Sequence, residues 1–175
     1  MARAAKLDLR TFQQELAARL ASKTAAQVES SRLGLSSGGD QWLVRLGDAG
    51  EVVALPQVTP VPHTHPWHLG VANVRGNLYS VVDFSAFLGG APAVRSDSSR
   101  LLLISDKYRV GCALLIDAVV GLRNPQLFVL ANDAPVSAPW ISAHYTDRDK
   151  QLWSELGVER LAQDPEFLDI CARPS

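Results

Sequence analysis

The feature that most constrains the fold of this chain is an internal repeat of short strands. Leu33–Val52 contains two alternating apolar runs around a polar turn and then a further short strand, and Leu102–Gly121 repeats that layout. A second unit, made of strand, turn, strand and short helix, occurs at Val71–Leu88 and again at Ile141–Leu161. The similarity lies in the pattern and not in residue identities. Because strands this short bury their edges best by curling closed, the repeat predicts an all-β chain of two small barrels side by side, with four or five strands from each half.

Two hairpins are the clearest elements of this layout. The apolar alternation changes to a period of two after Ser30, and Leu33–Leu46 predicts two strands around a turn at Ser37–Asp40. Val71–Val82 predicts a second hairpin around a glycine turn, Arg75–Asn77. The side chain of Asp83 can then cap a short helix that ends at a glycine pair.

The segments outside the hairpins divide into helices and loops. Apolar residues recur at three- and four-residue steps from about Asp8 to Val28, which predicts an amphipathic helix; the apolar stripe is Leu9, Phe12, Leu16 and Leu20. This helix lies in a predicted N-terminal extension, residues 1–29, which precedes a domain over residues 30–175. The stripe could pack on its own domain or on another chain, and its own domain is the favoured interpretation. The proline-rich stretch from Pro56 to Pro66 predicts a loop or an edge strand, and Pro165–Ile170 predicts a short C-terminal helix.

Composition excludes several classes of protein. The formal net charge of −1 gives no attraction to polyanions, and a barrel that binds single-stranded nucleic acid would need clustered basic residues beside its aromatic side chains. The longest apolar runs, Leu101–Ile104 and Cys112–Ile116, are strand-sized, so no direct membrane insertion is expected and the chain is predicted to be cytoplasmic. Cys112 and Cys171 could pair, but a domain of this size has no need of a disulfide, and Cys112 is expected to be a buried structural thiol.

One string in the sequence matches a catalytic motif. Gly34–Gly38 reads G-x-S-x-G, the string of the hydrolase nucleophile elbow, with Ser36 as the candidate nucleophile. That motif needs a buried strand before the serine and a helix after it, whereas here the string enters a hairpin. A glycine-serine turn is therefore favoured, and a small β-barrel hydrolase that uses Ser36 is the alternative.

The candidate metal sites are weak. His63, His65 and His68 are close enough in sequence to share a metal, and His144 is the only other histidine, but no neighbouring acid or cysteine completes a site. An exposed loop is the favoured interpretation. Asp147–Asp149 lacks the alternating acids, the glycine and the closing glutamate of a calcium loop, so it predicts a solvated turn. No metal or cofactor is expected.

The most specific motif covers Gly70–Asp83, which reads GVANVRGNLYSVVD. It resembles the signature of CheW-like domains, G-V-x-N-[LV]-R-G-x-[IL]-x-x-V-x-[DN], and the residues in register are Asn73, Arg75, Gly76 and Asp83. Weaker matches flank it at Gly50–Val52, Val58–Pro62, Arg100–Ile104, Gly111 and Asp117–Val120. The resemblance extends over roughly Ser31 to Ile170 and is closest to the PilI-like branch, on the evidence of Pro66-Trp67, Trp153-x-x-Leu156 and Phe167-Leu168.

The resemblance implies a fold and a function. The CheW-like fold has two small five-stranded SH3-like barrels that enclose a shared hydrophobic core. Members of the family are non-catalytic adaptors that couple the cytoplasmic tip of a methyl-accepting receptor to the regulatory domain of a CheA-type histidine kinase. They are cytoplasmic and join membrane receptor arrays through these partners. The PilI-like branch serves type IV pilus twitching motility.

The resemblance also implies a partner-binding site. Arg75 is the main candidate for contact with a receptor tip, because its guanidinium carries five donors on a rigid glycine turn. The further candidates are Asn73, Gly76, Glu51, Val52 and Val58. The alternative interpretation is that Arg75 tethers its own loop through Asp83 or Glu51.

Overall fold

The computed structural model of the chain describes residues 31–133 and 138–170. The predicted N-terminal helix, residues 8–28, and Cys171 lie outside the described residues. The strands are β1 (Arg32–Ser37), β2 (Asp40–Arg45), β3 (Ala49–Ala54), β4 (Val58–Thr59), β5 (His68–Val74), β6 (Asn77–Asp83), β7 (Arg100–Ile104), β8 (Cys112–Ile116), β9 (Ala118–Arg123), β10 (Val129–Leu130), β11 (Ile141–Thr146) and β12 (Leu152–Leu156). The helices are α1 (Phe84–Phe87), α2 (Val158–Leu161) and α3 (Pro165–Leu168), and single 3-10 turns occur at Asp106–Tyr108 and Pro125–Leu127.

The strands form two six-stranded sheets whose orders correspond position by position. The first sheet runs β10-β11-β12-β2-β1-β9, and the second, taken from the corresponding edge, runs β4-β5-β6-β8-β7-β3. Strands β1–β3 thus correspond to β7–β9, and β5–β6–α1 corresponds to β11–β12–α2. This is the repeat that the sequence shows, and it confirms the prediction of an all-β chain built from two similar sheets. Each sheet has six strands and not five because a two-residue edge strand, β4 or β10, joins five longer ones.

Each sheet takes strands from both halves of the chain. The β1–β2 hairpin lies beside β12 in parallel, with Trp42 opposite Ser154. The β7–β8 hairpin lies beside β6, also in parallel, with Leu114 opposite Val82. The pattern of apolar residues cannot show this exchange, because periodicity identifies strands and not their neighbours. The first hairpin of each half therefore pairs with the second hairpin of the other half: β1–β2 joins β11–β12, and β7–β8 joins β5–β6. Neither half of the chain forms a complete sheet alone.

Both predicted hairpins are present and close through two-residue turns. The β1–β2 turn is formed by Gly38 and Gly39, with φ of 63° and 88°, and the β5–β6 turn by Arg75 and Gly76, with φ of 52° and 90°. Positive φ at both central residues is the geometry of a type I′ turn, whose twist matches that of the paired strands. Arg75 therefore holds a left-handed conformation that an ordinary residue adopts only at some cost.

The apolar core has two parts, which explains why β7 and β8 are apolar on both faces. Leu102, Leu114 and Ile116 point into a core shared by the two sheets. Leu101 and Leu115 point the opposite way, into a second cluster enclosed by the second sheet. Strands buried on both faces give continuous apolar runs and not alternation. The shared core contains Leu33, Leu35, Trp42 and Val44 from β1 and β2, Leu156 from β12, and Phe84, Val158, Leu161 and Phe167 from the three helices.

The helices begin where the sequence predicts. The carboxylate of Asp83 accepts hydrogen bonds from the backbone N–H of Ala86, at 3.1 Å, and of Ala93, at 2.8 Å, so it caps α1 and ties down the linker that follows. Asp164 caps α3, and this helix ends at Leu168, two residues before the predicted end.

The interior of the first sheet contains a buried ion pair that the sequence analysis does not predict. The side chain of Glu155 is 2% exposed and lies 2.9 Å from Nε of Arg45 and 3.3 Å from Nε of Arg32. The hydroxyl of Tyr145 donates to the same carboxylate at 3.0 Å. The equivalent position in the second sheet is Val81, because Glu155 and Val81 each lie three residues before the helix that follows, α2 and α1 respectively. Val81 is fully buried among apolar side chains, so an apolar residue takes the place of the carboxylate there. The two barrels therefore differ in how their interiors are stabilised.

The two-part core predicts the effect of truncating either face of β7. We expect Leu101→Ala and Leu102→Ala each to lower the free energy of unfolding by about 2–5 kcal/mol, because both side chains are buried. Leu122→Ala is the control, since its side chain is 64% exposed and its loss should change stability by less than about 0.5 kcal/mol. Urea denaturation measures all three. A Leu102→Ala loss no larger than that of the control would contradict the shared core.

The buried ion pair gives a second expectation. Glu155→Gln removes the carboxylate that Arg32 and Arg45 share, and losing hydrogen bonds to a charged group typically costs about 1.5–3 kcal/mol, since water can reach Arg45, which is 57% exposed. Glu51→Gln is the matched control, because Glu51 forms an exposed ion pair with Arg75. Chemical denaturation of both variants should show a loss at Glu155 several times larger than at Glu51. Equal losses would mean that the Glu155 carboxylate is not a structural group.

Candidate partner-binding site

The Arg75 turn is joined to the opposite edge of its sheet by an ion pair. Nη1 of Arg75 donates to Oε2 of Glu51 at 2.8 Å, and Nη2 donates to Oε1 at 2.6 Å. Glu51 lies on β3, one edge strand of the second sheet, and Arg75 lies in the hairpin beside β4, the other edge strand. The two-point bond therefore spans the opening of the sheet, which is the geometry of a sheet curled closed.

The ion pair leaves much of the guanidinium accessible. The side chain of Arg75 is 74% exposed and that of Glu51 is 43% exposed. Arginine has five N–H donors, and two of them bond Glu51. The remaining donors can bond a further acidic group without breaking the existing pair. The site can therefore present an oriented cation to an approaching surface.

The turn itself is rigid. The side-chain oxygen of Asn73 accepts a hydrogen bond from the backbone N–H of Gly76 at 2.8 Å. This Asx bond closes the turn across the two residues with positive φ. Asn73 and Gly76 thus determine where the Arg75 side chain leaves the hairpin.

The other predicted site residues lie around this turn in different ways. Val52 lies on β3 next to Glu51 and packs partly against the shared core. Val58 lies on β4 and packs partly against the second cluster. A groove beside the turn is lined by Pro56, Gln57, Thr59, Val71, Asn73 and Leu78. Its most prominent apolar group is Leu78, which is 69% exposed on the strand that follows the turn.

Arg75 does act as a tether, which was the alternative interpretation of this residue, and its partner is Glu51. Arg75 bonds Glu51, whereas Asp83 is buried and caps α1. Of the two carboxylates considered from the sequence, only Glu51 bonds the guanidinium. The tether and an exposed, partner-accessible guanidinium coexist in one conformation.

A second surface of the first sheet is apolar, and sequence analysis did not assign its residues. Residues of β9, β10 and the turn between them expose large apolar side chains; they are Val119, Val120, Leu122, Leu127, Val129 and Leu130. We call this set the β9–β10 surface. The sequence indicates this surface only indirectly: β9 and β10 are rich in apolar residues although both are edge strands, whose outer faces contact solvent.

The motifs that suggest catalysis or metal binding have structural roles. Ser36 lies inside β1, which continues into the hairpin turn to β2 and not into a helix, so the nucleophile-elbow context is missing. His65 stacks on Trp67 with 5.3 Å between ring centroids. The expectation of an exposed loop is wrong for His68, which is buried and has Nε2 2.9 Å from the hydroxyl of Ser80. Burial lowers the pKa of this imidazole.

The remaining candidates are structural as well. The carboxylate of Asp147 accepts hydrogen bonds from the backbone N–H groups of Asp149 and Gln151 and from the indole of Trp153, so it closes a turn, as predicted. Cys112 is buried and unpaired in β8, and burial raises the pKa of its thiol to about 12, which confirms the expected structural thiol. Across residues 31–133 and 138–170, no three His, Cys, Asp or Glu side chains are grouped to hold a metal ion. None of the described helices is long and apolar enough to cross a membrane.

Comparisons with known proteins agree on one family. The model of the CheW-like domain matches residues 33–166. The protein PilI of Pseudomonas aeruginosa is 31% identical over 160 residues, which cover 87% of this chain and 88% of PilI. The chemotaxis protein CheW of Rhizobium meliloti is 35% identical over 82 residues, 47% of this chain and 52% of that protein. Among solved structures, the scaffolding protein TtCheW of Thermoanaerobacter tengcongensis has a similar fold, with a TM-score of 0.61 at 17% identity, and the match covers 73% of this chain and 88% of TtCheW.

The exposed geometry of the Arg75–Glu51 pair predicts a small effect on stability. A double-mutant cycle with Arg75→Ala and Glu51→Ala should give a coupling energy of about 0.2–1 kcal/mol, because exposed ion pairs are screened by solvent. The coupling should fall as sodium chloride is raised from low to high concentration. Thermal or urea unfolding of the four proteins measures it. A coupling above about 2 kcal/mol would show that the pair is required for closure of the sheet.

Proposed function

The chain belongs to the CheW-like domain family, and we propose that it is a non-catalytic adaptor that couples a methyl-accepting chemoreceptor to a CheA-type histidine kinase. Its likeness to PilI over most of both chains supports a role in signal transduction that controls type IV pilus twitching motility. The observation that carries the proposal is the Arg75 turn, where an exposed and oriented guanidinium stands beside an open groove. Such a surface suits docking of another protein and not a reaction.

The receptor tip is assigned to the Arg75 surface. A helical tip that carries acidic side chains can bond the guanidinium donors that Glu51 leaves free. Leu78 and the groove beside it accept apolar side chains from the same helix, and Val52 and Val58 lie on the edge strands on either side. Asn73 and Gly76 act indirectly, since they hold the turn in place.

The kinase regulatory domain is assigned to the β9–β10 surface. Its exposed apolar side chains lie on β9 and β10, the two edge strands of the first sheet, and on the turn between them, and protein interfaces are centred on apolar groups of this kind. The two partners would then bind different barrels and could be bound at the same time. Through them the adaptor would join membrane receptor arrays while remaining cytoplasmic.

Binding measurements with separate receptor and kinase partners test both assignments. Arg75→Ala should weaken binding to the receptor tip by about tenfold or more, as expected for an interface anchor, and should leave kinase binding unchanged. Arg109→Ala is the matched control, because Arg109 is also exposed and also has a positive φ, of 56°. Equal effects of the two substitutions would contradict the Arg75 surface.

A test variant and a matched control variant probe the β9–β10 surface in the same way. Leu130→Asp should weaken binding to the kinase regulatory domain by about tenfold or more and leave receptor binding unchanged. Val94→Asp is the control, because Val94 is 83% exposed in the linker after α1. If the folded wild-type protein bound neither a receptor nor a kinase of this class, the adaptor function itself would be wrong.

A further inference from the structure

A cleft on the first sheet is separate from both surfaces described above. It has a volume of about 570 Å³ and lies beside α1, α3 and the strands β2, β11 and β12. Its lining includes Asp40, Trp42, Phe87, Trp140, His144 and Leu152. None of these residues belongs to the Arg75 turn, its groove or the β9–β10 surface. The cleft therefore needs an explanation of its own.

The floor of the cleft is aromatic and apolar. The ring centroids of Trp42 and Trp140 are 6.0 Å apart, and those of Phe87 and Trp140 are 5.8 Å apart. Leu152 stands at the margin with 46% of its surface exposed. Trp42 and Trp140 belong to the buried core, so the apolar groups that the cleft offers to an occupant are the half-buried Phe87 and Leu88 and the exposed Leu152.

The rim of the cleft is acidic. Three carboxylates line it, those of Asp40, Asp164 and Glu166, and the described lining contains no lysine or arginine. Asp164 caps α3, but Asp40 and Glu166 are exposed and have no ion-pair partner among the described residues. The rim therefore favours an occupant with basic side chains.

Two residues of the lining carry buried ring nitrogens without hydrogen-bond partners in the described part of the chain. They are Nε1 of Trp42, which is 4% exposed, and Nε2 of His144, which is 7% exposed. The other ring nitrogen of His144 lies 3.0 Å from the hydroxyl of Ser154. A buried polar atom without a partner is destabilising, and these two atoms mark the cleft as a place where the described residues leave polar groups unsatisfied.

The sequence of this chain contains a segment with the complementary properties. Residues 8–28, outside the described residues, have an apolar stripe at helical spacing. Arg19 and Lys23 each follow a member of that stripe, Leu16 and Leu20, by three residues, a spacing that places them on the same side of a helix. Glu15 lies on the same side as Arg19, but Arg19 and Lys23 outnumber it beside the C-terminal half of the stripe, so the segment offers net positive charge to the acidic rim.

The segment is long enough to reach the cleft from its point of attachment. It joins β1 at Arg32, and β1 runs roughly 20 Å to the Gly38-Gly39 turn, which Asp40 follows directly. A helix over residues 8–28 would be about 30 Å long. It can therefore fold back along the β1–β2 hairpin and lie over the cleft.

We propose that residues 8–28 pack as a helix in this cleft of their own chain, with the apolar stripe on the aromatic floor and the basic side chains at the acidic rim. The inference does not depend on the proposed adaptor function. It assigns the amphipathic segment to its own domain and not to another chain.

Indole signals in ¹H–¹⁵N spectra of the full chain test the contact. Leu16→Asp places a charge in the stripe and should shift the indole signals of Trp42 and Trp140 by more than a linewidth. Ala18→Asp is the matched control, because residue 18 lies on the opposite side of the predicted helix, and it should leave both signals in place. The signal of Trp153, inside the first barrel, reports that the domain stays folded, and the milder Leu16→Ala should shift the same two signals in the same direction. Unchanged signals in both Leu16 variants, or equal shifts in Leu16→Asp and Ala18→Asp, would overturn the proposal.

Charge reversal on the rim tests complementarity. The double variant Asp40→Lys/Glu166→Lys should reproduce the Trp42 and Trp140 shifts of Leu16→Asp, because the rim would then repel Arg19 and Lys23. Asp97→Lys/Asp106→Lys, at two exposed acids elsewhere, is the control and should not. Equal spectra for the two double variants would overturn the charge argument.

Sedimentation distinguishes the chain's own segment from that of a second copy. The wild-type protein and Leu16→Asp should have the same mass at all concentrations. A wild-type dimer that Leu16→Asp converts to a monomer would show that the segment occupies the cleft of another copy, and the proposal would be wrong.

Discussion

The structure depends on one constraint, which is that the two halves of the chain bury a single apolar core between them. Each half contributes its first hairpin to the sheet that the other half completes, so β2 lies parallel to β12 and β8 lies parallel to β6. The parallel contacts bring Trp42 and Leu114 into one shared core. Because short strands have little surface to bury on their own, this exchange gives a small domain enough apolar contact to be stable.

That arrangement leaves few places for function. One face of β7 and β8 is used by the shared core and the other by the second cluster, so the centre of the second sheet is closed to partners. What remains accessible is the turns, the edge strands and the margins. The Arg75 turn and the β9–β10 surface are of this kind, and the acidic cleft lies where α1 and α3 meet strands of the first sheet. A sheet that is buried on both faces is suited to binding other proteins along its edges.

Part of the candidate site follows from the sequence. The Arg75-Gly76 turn was predicted from its motif, and Glu51 was one of two carboxylates considered as its tether. The choice between Glu51 and Asp83 required the structure, because it depends on how far the second sheet curls. The burial of His68 and the ion pair of Glu155 were not predicted, since a polar residue in an alternating strand gives the same pattern whether it faces solvent or a buried partner.

The positions of strands, turns and helix caps follow from the sequence alone, since they depend on local chemistry. Gly38-Gly39 permits the positive φ of a two-residue turn, Asp83 provides a cap, and the repeated pattern shows two related sheets. Three outcomes depend on the folded arrangement: which hairpin joins which sheet, which carboxylate bonds Arg75, and which apolar residues remain exposed on β9 and β10. These outcomes depend on contacts between residues far apart in the chain, and the period of a strand carries no information about its neighbours.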